Sequence, residues 1–138
     1  MSVRLTVKWE GVDSFQRHLI KTLPEAFKKS LEEALDKTAK DARDRAKQLV
    51  PVDTGSLQKS IRVERHAWPA GNIIYTGIRA GGYVVNPRSG KLVGYARYVE
   101  YGTSRQRPQP FIRPSLRWAS RRIPSYFWAA LSKRVDVK

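Results

Sequence analysis

The stretch from Pro24 to Leu49 constrains this chain more than any other. Leu31, Leu35, Thr38, Ala39, Ala42, Ala46 and Leu49 recur at i, i+4 and i+7 spacing, the period of one helix face. Glu25–Lys29, Glu33–Lys37, Asp36–Lys40 and Asp41–Arg45 set acid before base four residues apart, the favourable order on a solvated face. Pro24 suits a first turn, where a missing N–H is harmless, and Pro51 ends the run. The spacing predicts one long amphipathic helix. Several core-facing positions are alanine, so another element must approach its axis closely.

The remaining segments read as shorter elements. Val3, Leu5, Val7 and Trp9 alternate with Arg4, Thr6 and Lys8, the period of a half-buried strand. Asp13 reads as an N-cap ahead of a first helical face at Phe15, Leu19 and Ile20. After Pro51, Asp53-Thr54-Gly55 forms a turn into a short helix. Strands are expected near 61–66, 73–79, 83–85 and 92–101, with turns at Gly81-Gly82 and Asn86 to Gly90. Arg105 to Pro110 reads as an extended connector. Arg113-Pro114 opens a helix with an apolar stripe of Ile112, Leu116, Ala119 and Ile123, kinked or broken at Pro124. The expected fold is α+β. An antiparallel sheet of about four to five strands packs against one long amphipathic helix, with a C-terminal helix. One domain spans 1–138: N-terminal strand 1–10, helical segment 12–50, sheet 51–103, then connector and basic helix 104–138.

Charge narrows the function. The 138 residues carry 27 Lys plus Arg against 12 Asp plus Glu, a formal net charge of +15. That excludes an acidic, calcium-rich module and favours a polyanionic neighbour. The long helix is nearly neutral, so the excess lies elsewhere. Arg113, Arg117 and Arg121 line one helix face, Arg122 follows, and Arg105 and Arg107 precede it. Such a row suits a phosphate backbone or an acidic partner; the plainer reading is a solvated face. With no cysteine, disulfides and thiolate metal sites are excluded. The longest charge-free runs, 67–78 and 123–132, are too short for a spanning helix and each contains Pro. The expected place of action is the cytoplasm, or a particle assembled there.

Enzymatic motifs fare poorly. Asp53-Thr54-Gly55 matches the aspartic-protease triplet, but that triplet should follow a strand in an all-β fold. Here it follows a long helix, and a capping turn explains it better. His18 and His66 stand alone, Asp41 and Asp44 sit among basic residues, and no phosphate-binding glycine loop exists. No cofactor or small-molecule substrate is expected. Of Trp9, Trp68, Trp118 and Trp128, at least one of Trp118 and Trp128 is expected at a subunit contact.

Three segments in order carry a resemblance. Val50-Pro51-Val52-Asp53-Thr54-Gly55-Ser56-Leu57, then Ser60-Ile61, follows the alanine-rich helix. Tyr98-Val99-Glu100-Tyr101-Gly102-Thr103 comes about forty residues later, and Pro110-Phe111-Ile112-Arg113-Pro114-Ser115-Leu116 shortly after. Over about residues 12 to 122 the chain resembles the head–tail joining, or tail-component, family of lambda-like long-tailed phages and prophages. The resemblance implies a non-enzymatic virion subunit that forms a ring, usually hexameric. Such a ring closes the tail tube, joins it to the DNA-filled head and contacts neighbouring neck and tail-tube proteins; the charge of this chain would suit either packaged double-stranded DNA in the lumen or an acidic portal or tail ring. It implies structural roles. Asp53, Thr54, Gly55 and Leu57 shape the turn between helix and sheet. Tyr98, Val99, Tyr101, Gly102 and Thr103 end a strand and begin its exit. Pro110 and Phe111 anchor the connector, and Pro114 starts the last helix. A hairpin from Gly81 and Gly82 through Tyr83 to Gly90, and the connector arm, would reach a neighbouring subunit. The alternative is a stand-alone basic protein that binds double-stranded nucleic acid.

Overall fold

The computed structural model describes residues 25–67 and 74–135. Helix α1 (Glu25–Leu49) is the spine. Its buried face is Ser30, Ala34, Thr38, Ala39, Ala42 and Ala46. Small side chains let α4 (Ile112–Ser120) and α5 (Ile123–Arg134) lie close along it, as the alanine stripe requires. Leu31 and Leu35 flank that face half-buried, whereas Leu49 is exposed. Ser30 and Thr38 satisfy their hydroxyls by bonding the carbonyls of Ala26 and Ala34.

Helix α2 (Ser56–Ser60) follows the turn at Gly55, and β1 (Arg62–Ala67) pairs antiparallel with β2 (Ile74–Arg79), with Arg62 opposite Arg79. Both strands pack on α1. The core joins Ala42, Ala46 and Val50 to Leu57, Ile61, Ile78, Val93, Val99, Phe111 and Ile112.

The sheet is smaller than its strand-like segments imply. Among the described residues it has two strands, not four or five. Residues 82–93 form a hairpin with one isolated bridge, Val85 to Leu92. Hydrogen bonds from Gly82 N to Val93 O and from Asn86 N to Lys91 O close it, at 2.9 and 2.8 Å. The larger correction concerns 92–101, read above as a strand. Its second half is helix α3 (Ala96–Tyr101). Valine and tyrosine favour strands, but Ala96, Val99 and Glu100 are buried at i, i+3 and i+4 spacing. Burial of that set decides the conformation. The second motif is therefore a helix and its exit, not a strand end. Likewise the C-terminal helix breaks at Arg121 and Arg122, before Pro124, which sits in the first turn of α5. The expected strand at 3–9 and helix after Asp13 lie outside the described residues.

Candidate functional site

Glu100 joins the second and third motifs. Its carboxylate is fully buried, yet it faces the N-terminus of α4. Oε2 accepts the backbone N–H groups of Phe111 and Ile112 at 2.7 and 2.9 Å, and Oε1 accepts that of Arg113 at 3.0 Å. The Arg113 Nε adds a bond at 3.3 Å. These are groups a helix N-terminus leaves unpaired, and the helix dipole favours a negative charge there. No side chain of α4's own leading residues caps it. Phe111 is wholly buried, and its backbone N–H is held by the carboxylate.

Between the two motifs the chain turns on Gly102 and Thr103. Gly102 has φ 74° and ψ 177°, a conformation open essentially to glycine. Thr103 Oγ1 accepts the N–H groups of Arg105 and Gln106 at 3.2 and 3.1 Å. Gln109 N donates to Val99 O at 2.8 Å, so the connector folds back on α3. Its residues 103–110 are exposed.

The first motif forms a turn. Gly55 has φ 77° and precedes α2. Ser56 N donates to Thr54 Oγ1 at 3.4 Å, and Leu57 is buried. Asp53 is exposed and meets Arg88 Nη1 of the hairpin at 2.9 Å. Among the described residues no group of three or more side chains is arranged to hold a metal.

The basic residues separate into two kinds. Arg113 lies over the Tyr101 ring at 4.5 Å besides its bond to Glu100. Arg122 pairs with Asp41 at 3.4 Å and stacks 3.8 Å above the half-buried Trp118, whose ring also meets Arg45 at 5.5 Å. Arg105, Arg107, Arg117 and Arg121, and also Arg97 on α3, are exposed and have no acidic partner among the described residues.

Besides Tyr98 and Tyr101 on α3, exposed large apolar side chains stand on the hairpin and on α5. Tyr83, Val85 and Leu92 stand on the hairpin, whose Arg88 reaches Asp53, beside the exposed Val52 beyond the C-terminal end of α1 in sequence. Trp128, 62% exposed, stands on α5. Phe127 contacts both Trp128 and Phe27, at 5.5 and 5.9 Å between ring centroids, so this patch lies at the N-terminal end of α1. Gly81 is buried inside the subunit, where its N–H reaches Ser60 Oγ at 2.8 Å. Gly82 sits at the hairpin's base.

The family model for the bacteriophage HK97-gp10 tail component matches residues 13–102. This chain belongs to that tail-component family. The match takes in α1, both strands and α3 and ends at the glycine turn, so the Phe111 motif and both C-terminal helices lie beyond it. The chain matches no curated protein and no solved structure. As a phage tail component it is a structural protein of the virion, and no described helix is long and apolar enough to cross a membrane.

Within this tail component, sequence reasoning placed Tyr98, Tyr101 and Phe111 in the motifs but passed over Glu100. One signal was available. Glu100 is the lone carboxylate between Glu64 and Asp136, in an otherwise cationic stretch. Arg62 was also missed. It donates to Gly81 O at 2.9 Å and covers the Tyr83 ring at 4.6 Å, which braces the hairpin.

Proposed function

We propose that the protein is a tail-completion or neck subunit that closes into a ring joining phage tail to head. It acts by assembly, without catalysis, cofactor or small-molecule substrate. Family membership over residues 13–102 carries this reading. The surface is compatible with it. A closed ring repeats one heterologous contact, so each subunit needs two different adhesive surfaces. The hairpin patch and the Trp128 patch are two such surfaces, at opposite ends of a helix about 35 Å long. Neighbouring neck and tail-tube proteins are the expected further partners.

Deletion of the gene tests the proposal. The expected phenotype is DNA-filled heads and complete tails that stay separate, restored to infectious particles by supplying the protein. Normal infectious particles from the deletion would overturn it.

A further inference from the structure

We propose that the face built from α3, the connector and α4 binds the backbone of double-stranded DNA, independently of its sequence. This surface is complete in one subunit and does not depend on ring closure.

The face is continuous across two helices. Arg97 and Tyr101 lie four residues apart on the exposed side of α3. The Tyr101 ring is covered by the Arg113 guanidinium at 4.5 Å, which bridges α3 to α4. Arg113, Arg117 and Arg121 then continue at i, i+4 and i+8. Neighbours at this spacing stand about 6 Å apart, so Arg113, Arg117 and Arg121 extend over roughly 12 Å along α4, and the Arg113–Tyr101 stack joins them to the exposed side of α3. Arg105 and Arg107 project from the connector between the two helices.

The fold leaves these charges unspent. The lone carboxylate within residues 65–135 is Glu100, and it is buried against three backbone N–H groups and Arg113. No carboxylate of these elements therefore faces outward. Arg97, Arg105, Arg107, Arg117 and Arg121 have no acidic partner among the described residues, whereas Arg122 at the boundary is held by Asp41 and Trp118. Arg113 is fixed by its bond and its stack yet keeps half its side chain exposed, so it is pre-placed for a further acceptor.

A set of guanidiniums without acidic partners, three of them at four-residue spacing, fits a regular polyanion better than a protein. Protein interfaces centre on buried apolar or aromatic anchors and deplete charge at their core. The exposed aromatics of this face, Tyr98 and Tyr101, stand on the surface of α3 and are not sunk in an apolar patch like that of the hairpin or Trp128. Beside the row stands Tyr98, exposed, whose hydroxyl can donate to phosphate. Backbone contacts carry no sequence information, so affinity should not depend on sequence.

The test titrates the full chain with a random-sequence duplex of about 30 base pairs, by fluorescence anisotropy at several salt concentrations. Each phosphate neutralised contributes about 0.9 to the slope of log affinity against log salt. The Arg117→Ala/Arg121→Ala double variant is therefore expected to lower that slope by roughly 1.8. Between about 50 and 200 mM salt it should lose roughly tenfold less affinity than the wild type does. A Lys28→Ala/Lys40→Ala variant on α1 removes equal charge and should keep the wild-type slope. Circular dichroism melts confirm that both variants fold. Three outcomes overturn the proposal: no duplex binding by the wild type, equal losses in the two double variants, or a slope unchanged by Arg117 and Arg121. Wild-type binding to polyglutamate but not to duplex also overturns it, in favour of an acidic protein partner.

Discussion

The carboxylate of Glu100 accepts the backbone N–H of Phe111 at 2.7 Å, across a connector of nine residues that leaves α3 and returns to it. One side chain thereby caps α4, holds the backbone of the wholly buried Phe111 and closes the connector. Glu100→Ala leaves three backbone donors without their acceptor, two of them buried. It is expected to lower stability by about 3 kcal/mol, or roughly 10 °C in melting temperature. Glu100→Gln keeps an acceptor but loses the charge, and should cost about half as much. Thermal melts of both variants measure this; a Glu100→Ala protein that melts with the wild type removes Glu100 from its capping role.

Two positive-φ glycines should respond differently to alanine. At Gly55 a Cβ meets nothing within 4 Å, so Gly55→Ala is expected to cost only the backbone strain, about 1 kcal/mol. At Gly102 it would lie 2.7 Å from Pro108 N and 2.8 Å from Gln106 O. These are backbone atoms of the folded connector and cannot swing aside. Gly102→Ala should exceed about 2 kcal/mol in urea unfolding. Equal losses at the two positions would show that the connector does not press on Gly102.

Helix α5 is held to α1 by contacts with opposite pH dependence. Tyr126 donates to Asp41, which raises the phenol above its ordinary 10.0, with desolvation next. The stabilisation from a raised group is complete below the unfolded value and is lost as pH climbs through the folded one. The difference between wild type and Tyr126→Phe should therefore hold at neutral pH and shrink above pH 10.0. Glu33 accepts from Arg134 Nη1 at 2.9 Å, which lowers its carboxyl below 4.5, with Lys133 adding to the effect. Its contribution is present above 4.5 and disappears as pH falls through the lowered value. Denaturation of Glu33→Gln across the acid range should show the gap to wild type closing there. A gap that widens in acid contradicts the assignment.

The proposed ring makes a mixing prediction. Leu92→Glu on the hairpin and Trp128→Glu on α5 each place a charge on an exposed apolar patch and should leave the fold intact. Each variant alone is expected to stay monomeric in native mass spectrometry. Mixed, they should form a heterodimer, because one intact pair of unlike surfaces remains. Closed rings from either single variant would exclude these patches as the subunit contacts.

The local periods were legible in the chain. The 3.6-residue stripe of α1, the strands near 61–66 and 73–79, the glycine turn before α2 and the Arg113-Pro114 start of α4 each depend on neighbours within a few residues. Residues 92–101 were not legible in the same way. Their valine and tyrosine content suits a strand, and only the burial of Ala96, Val99 and Glu100 against the core makes the second half a helix. The arginine row divided for a similar reason. Sequence set Arg113, Arg117 and Arg121 on one face, but the fold bound Arg113 to Glu100 and Tyr101 and left the other two open. By itself the sequence determined the helical spine, the turns and the excess of positive charge, since these follow from short-range periodicity and composition. The tertiary structure alone decided that the lone carboxylate of a cationic segment would be buried as a helix cap. That role exists only once the connector brings α4's unpaired N–H groups to a residue eleven positions earlier in the chain.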